Sequence, residues 1–209
     1  MVKKGIIVNK ICTMLCPFVC EKELFRLYTF NSSKPIRIGY AGRMDGFEDS
    51  PKRMDLMLKL IKLLDERNVN FYMEFAGDGA VRDIMQQYIY DNHFEDRVHF
   101  LGMLERSQIS KFWKQQDICV NVSDFEGRSI SIIEAMGNGV VPVVTQVSGT
   151  REDIIDGVNG YLIPLKDCDT MADRIQYLAE HREHLSKLPG VKIDESVMFT
   201  TDVQQACID

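Results

Sequence analysis

Nowhere does the sequence hold an uninterrupted apolar run of the roughly 18–20 residues that a membrane-spanning helix needs. Its opening stretch, MVKKGIIVNKICTMLCPFVC, has the early lysines of a secretion signal. Asn9 and Lys10 interrupt the apolar core, Pro17 follows, and no small-residue cleavage site is evident, so a cytoplasmic protein is the expectation. Positive charge is in deficit too: the formal net charge is −6. That removes electrostatic attraction to DNA or RNA as an expectation, while leaving room for an anionic small ligand gripped by a few well-placed cations. Metal-site spacing is also lacking. Cys12, Cys16 and Cys20 recur every four residues with no histidine close by, and Pro17 argues against an undistorted helix through them. They read as small apolar residues of a reduced protein. Internal repeats are not apparent.

What is present is ordinary for a soluble globular chain: 209 residues, 45% hydrophobic and 27% charged, enough for one large domain or two small ones. From Ile36 onward, short β-type runs alternate with longer helical ones. Strand-like runs occur at 37–42, 71–79 (a strand and turn), 98–102, 117–123, 140–145 and 159–164. Helical spacing occurs at 54–68, 81–92, 107–116, near 150–155 and at 169–186. Gly139 suits the left-handed residue that closes a helix. The alternation predicts an α/β fold: a doubly wound, mainly parallel sheet of about six strands with helices on both faces. It divides the chain into a lead-in at 1–35, a Rossmann-like domain at 36–188 and a tail at 189–209.

Ligands of such sheets bind beyond the C-terminal ends of the strands. That rim gathers Gly42, Arg43 and Lys52 after the first strand, GDG (77–79) after the second, and LGML (101–104) after the third. SDFEGRS (123–129) follows the fourth strand and QVSGT (146–150) the fifth. Arg43 and Lys52 suit a diphosphate, and glycines such as Gly42 and Gly77 let a ligand approach the backbone. A helix starting near Ser129–Ser131 would point free amides at the same place. Glu126 and Glu134 lie eight positions apart in EGRSISIIEAMGNG. Ser131 and Glu134 fit a capping box, which accounts for Glu134 locally and leaves Glu126 unexplained. At a ligand rim both carboxylates are acceptors for hydroxyls of a ribose or a sugar.

These residues, in this order, resemble the retaining glycosyltransferases of family four, which have the GT-B fold. The resemblance runs from about Ile36 to Glu180 and includes the GR after the first strand, the lysine beyond it, GDG, VHFLG, the paired glutamates, EAM, PVV, SGTREDI and GVNGYLI. It implies that Arg43 and Lys52 grip the diphosphate of a nucleotide diphosphate sugar. Glu134 would accept the ribose hydroxyls and Glu126, the catalytic candidate, the hydroxyls of the donor hexose. The backbone amides of Ser129, Ile130 and Ser131 would complete the cradle, with Met103 near the base. It also implies no metal and no other cofactor, a role in polysaccharide or glycolipid assembly, and an acceptor-binding N-terminal domain or partner chain beside this donor-binding half. Peripheral association of the full enzyme with the cytoplasmic membrane face fits the same resemblance. Departures are Arg128, Ser129 and Arg53, where relatives commonly have an apolar residue and two glycines. Two other classes remain open: a non-catalytic assembly subunit, and an epimerase or phosphorylase of this architecture. The phosphorylase would need a lysine for pyridoxal phosphate, and none stands in a persuasive position.

Overall fold

Six of the apolar runs form strands. The computed structural model describes residues 34–187. The cysteine run at 12–20, the tail, and the lead-in apart from Lys34 and Pro35 lie outside the described residues. The strands are β1 (Ile36–Ala41), β2 (Phe71–Ala76), β3 (Val98–Gly102), β4 (Ile118–Asn121), β5 (Val141–Thr145) and β6 (Tyr161–Ile163). Between and after them run α1 (Met54–Glu66), α2 (Arg82–Asp91), α3 (Arg106–Trp113), α4 (Ile130–Gly137), α5 (Ser148–Arg151), α6 (Cys168–Glu180) and α7 (Glu183–Lys187).

All pairings are parallel and the order is β3-β2-β1-β4-β5-β6. The period-two alternation of side chains along the strands builds two cores, one on each face of the sheet. On one face Ile36, Ile38 and Tyr40 of β1 join Phe71, Met73 and Phe75 of β2 under α1 and α6. On the other, Cys119 of β4 and Val144 of β5 lie under Phe112 and Trp113 of α3 and Ile132 and Met136 of α4. Gly39 makes the second layer close: a Cβ there would stand 2.7 Å from Gln116 and 2.8 Å from Trp113.

Three local expectations are corrected. The capping box of Ser131 with Glu134 does not form. Ser129 is the N-cap of α4, so Ser131 already lies inside the helix, and no side chain caps that end. The short helix expected near 150–155 begins earlier, at Ser148, where the Thr150 hydroxyl bonds the main chain of Thr145 and Val147. The helix expected over 169–186 breaks at His181. There Arg182 turns inward, its Nη1 donating to Asp117 Oδ2 at 3.1 Å and its Nη2 to the Lys34 carbonyl at 2.9 Å. Gly139 does close α4. It has φ 74°, donates its N–H to the Met136 carbonyl, and is followed by Val140 donating to Ala135, the paired bonds of a Schellman motif.

Candidate functional site

β1 and β4 are neighbours in the sheet, yet β1 leads on to β2 on one side and β4 to β5 on the other. The chain therefore parts at their C-terminal ends, the place where doubly wound sheets open a crevice. Residues 51–53 after β1 and 124–126 after β4 meet here through three contacts. The Asp124 N–H donates to the Pro51 carbonyl at 2.8 Å. Lys52 Nζ lies 2.6 Å from Glu126 Oε1. Arg53 Nη1 donates to Asp124 Oδ2 at 2.7 Å.

Glu126 is 9% exposed, and a buried carboxylate must be paired and hydrogen-bonded. Asn121 Nδ2 at 3.1 Å and Ser123 Oγ at 2.9 Å join Lys52 on the same oxygen, Oε1. None of these three bonds reaches Oε2. The supports are themselves held: the Ser123 N–H donates to Asn121 Oδ1, and the Ser123 carbonyl accepts from Thr145 Oγ1 at 2.6 Å. Gly149 of α5 packs so closely that a Cβ would fall 1.7 Å from the Gly127 carbonyl oxygen. Arg128 spans to Asp153 with Nε and Nη2, fastening the far end of the loop.

Next to this cluster, Tyr40 Oη donates to the Arg43 carbonyl at 2.7 Å. Burial pushes the Tyr40 phenol far above its ordinary range, and the nearby negative charges of Glu126 and Asp45 add to the shift. Arg43 itself is 78% exposed and pairs with Asp45 at 2.8 Å. Gly77 has φ 132°, and a Cβ there would meet the Gly42 carbonyl at 2.0 Å; these two glycines let the loops after β1 and β2 lie on each other. Met103 stands exposed on the rim. Glu134 is carried one turn into α4, and partial burial raises its carboxyl above the usual range against the opposing charge of Arg106. The uncapped start of α4 leaves its first amides, among them those of Ile130 and Ser131, available to an anion.

Sequence reasoning brought Lys52 and Glu126 to one place and missed Asn121, Arg53, Asp124 and Tyr40. Asn121 had a readable signal, a polar residue inside the otherwise apolar run ICVNV. Arg53 stood out only as a departure from the glycine the resemblance leads one to expect, and a lysine–arginine pair before a helix otherwise reads as solvated charge. Among the described residues no three His, Cys, Asp or Glu side chains cluster as metal ligands.

The family model for "Glycosyl transferases group 1" matches residues 29–189. The chain belongs to that family. An N-acetyl-alpha-D-glucosaminyl L-malate synthase of Bacillus anthracis is 29% identical over 176 residues, which are 84% of this chain and 44% of that protein. Among solved structures, a TarM mutant of S. aureus in complex with fondaparinux, alpha-GlcNAc-glycerol and UDP superposes with a TM-score of 0.71 at 25% identity, covering 85% of this chain and 35% of that one. The C-terminal domain of a glycosyl transferase group 1 family protein (LpcC) from Francisella tularensis shares the fold, with a TM-score of 0.67, 19% identity, and coverage of 79% of this chain and 88% of that domain. This group 1 glycosyl transferase chain thus spans less than half of its curated relative.

Proposed function

We propose that residues 36–187 form the donor side of a retaining glycosyltransferase that takes a nucleotide diphosphate sugar, with a second domain or partner chain orienting the acceptor. The observation that carries this reading is the meeting of Lys52 and Glu126 at the β1–β4 crevice, directly beside the open amides of α4. In this reading Lys52, Arg43 and those amides stabilise the diphosphate as its bond to the sugar C1 breaks. The acceptor oxygen bonds to C1 on the face the diphosphate leaves, and its proton passes to the departing phosphate. Glu126, with Oε1 committed to protein partners, offers Oε2 to the sugar hydroxyls, and Glu134 accepts from the ribose.

UDP-linked N-acetylglucosamine is the donor we favour. The names of the Bacillus anthracis relative and of the TarM complex support it, both carrying an alpha-linked glucosaminyl group and the latter UDP. Isothermal titration of the folded chain with UDP, GDP and ADP tests the reading: UDP should bind, and silence with all three overturns it. The threefold engagement of Glu126 Oε1 favours one second reading, an assembly subunit in which Glu126 is purely structural. Loss of sugar transfer in the full enzyme carrying Glu126→Ala, with melting temperature kept, rules that out.

A further inference from the structure

We infer that Arg53 is a positioning residue: it locks the loop after β1 onto the loop after β4 and so aims Lys52 at Glu126. Three features converge on it. First, its backbone is left-handed, with φ 48° and ψ 52°, a conformation that side chains other than glycine's adopt at a cost. That turn, immediately before α1, directs Lys52 off the helix axis and back toward the crevice. Strain of this kind persists only where surroundings hold it in place.

Second, the surroundings are ionic and enclosed. The Arg53 side chain is 7% exposed, and each of its three guanidinium nitrogens donates to a carboxylate. Nε and Nη2 fork onto the two oxygens of Asp55 at 3.0 and 2.7 Å, while Nη1 takes Asp124 Oδ2 at 2.7 Å. Asp55 lies in the first turn of α1, and Asp124 lies two residues before Glu126. One rigid, planar cation therefore ties a helix start to the opposite loop. Asp124 Oδ1 is buried without a hydrogen-bond partner, so Arg53 is the cation compensating this carboxylate among the described residues.

Third, the contact is in register. Pro51, Lys52 and Arg53 each bond to the segment 124–126, through main chain, ammonium and guanidinium in turn. A glycine at 53 would take the same turn without strain but would carry nothing to reach Asp124.

The test reads Lys52 directly, so it stands apart from the proposed function, on which only its nucleotide arm rests. In the full chain, the rate of amine acylation at Lys52, followed by mass spectrometry, should rise several-fold in Arg53→Gly and in Asp124→Asn. Arg53→Lys, which keeps a charge but not the fork, should fall between them and the native chain. UDP affinity should weaken about tenfold in the first two variants while their melting temperatures stay within a few degrees. Asp124→Asn leaves the pair of Arg53 with Asp55 intact and serves if Arg53→Gly does not fold. Native-rate labelling of Lys52 in either folded variant overturns the inference. Failure of the native chain to bind UDP, with Lys52 labelling raised in the variants, would remove the donor-site reading and leave this one standing.

Discussion

Glu134 and Glu126 carry the same functional group in opposite circumstances. Glu126 is enclosed by donors, whereas burial raises the Glu134 carboxyl above its ordinary range. A raised folded-state value means the native chain takes up that proton more readily than the unfolded chain does. The contribution of Glu134 to stability is therefore present at acid pH and lost as pH rises through its folded value. Binding should run the other way, because the ionised carboxylate accepts hydroxyls more strongly than the protonated acid does. UDP affinity is expected to fall as pH drops from neutrality through the titration of Glu134. Glu134→Gln should flatten both trends; calorimetry and thermal melts across pH check them, and the titration of UDP itself cancels in the native-to-variant ratio. The place of Glu126 in the crevice was legible because a carboxylate between a strand and a helix has no local task. That of Arg53 was not, because its two partners lie in a helix turn and in a distant loop, and only the folded chain puts them on one guanidinium.

At the scale of elements, all six strands could be read as elements, since they are short apolar runs bounded by glycine or polar residues, though several ends differ by one to three residues. Helix ends were harder. Ser129 and Ser131 both suit a cap, and what decided for Ser129 is the extended backbone at that residue. The break after α6 answers to Arg182, whose side chain reaches across the sheet's lower edge to Asp117; helical periodicity carries no trace of that pull. α5 is the element on which the site leans most. It has four residues, and Gly149 within it touches the main chain of Glu126 and Gly127. Gly149→Ala should force α5 away from the glutamate loop. We expect a loss of about 1–3 kcal/mol in urea unfolding, the range for overpacking a tight contact, together with weakened UDP binding. Native-like stability and binding in that variant would mean that the loop is not braced from this side.

For the whole molecule, the doubly wound sheet and its rim followed from alternation alone, whereas a second wall that orients an acceptor is part of the proposed reading only. If these residues supply only one wall of a cleft, the 209-residue chain by itself should bind the donor and transfer sugar at no more than a trace rate, because water is not excluded and no acceptor is oriented. Brisk transfer by the isolated chain, measured with radiolabelled donor, would contradict the division of labour. The neighbouring of β1 and β4 has a further outcome. Lys52 and Glu126 are 74 residues apart in the chain, and the β1–β4 pairing joins the two most sequence-distant neighbours in the sheet. Closing so long a loop costs more entropy than any other pairing in the sheet, so the crevice rests on the sheet's most non-local contact. A nucleotide seated there would act as a bolt across that seam, favouring the closed chain over the open one by mass action.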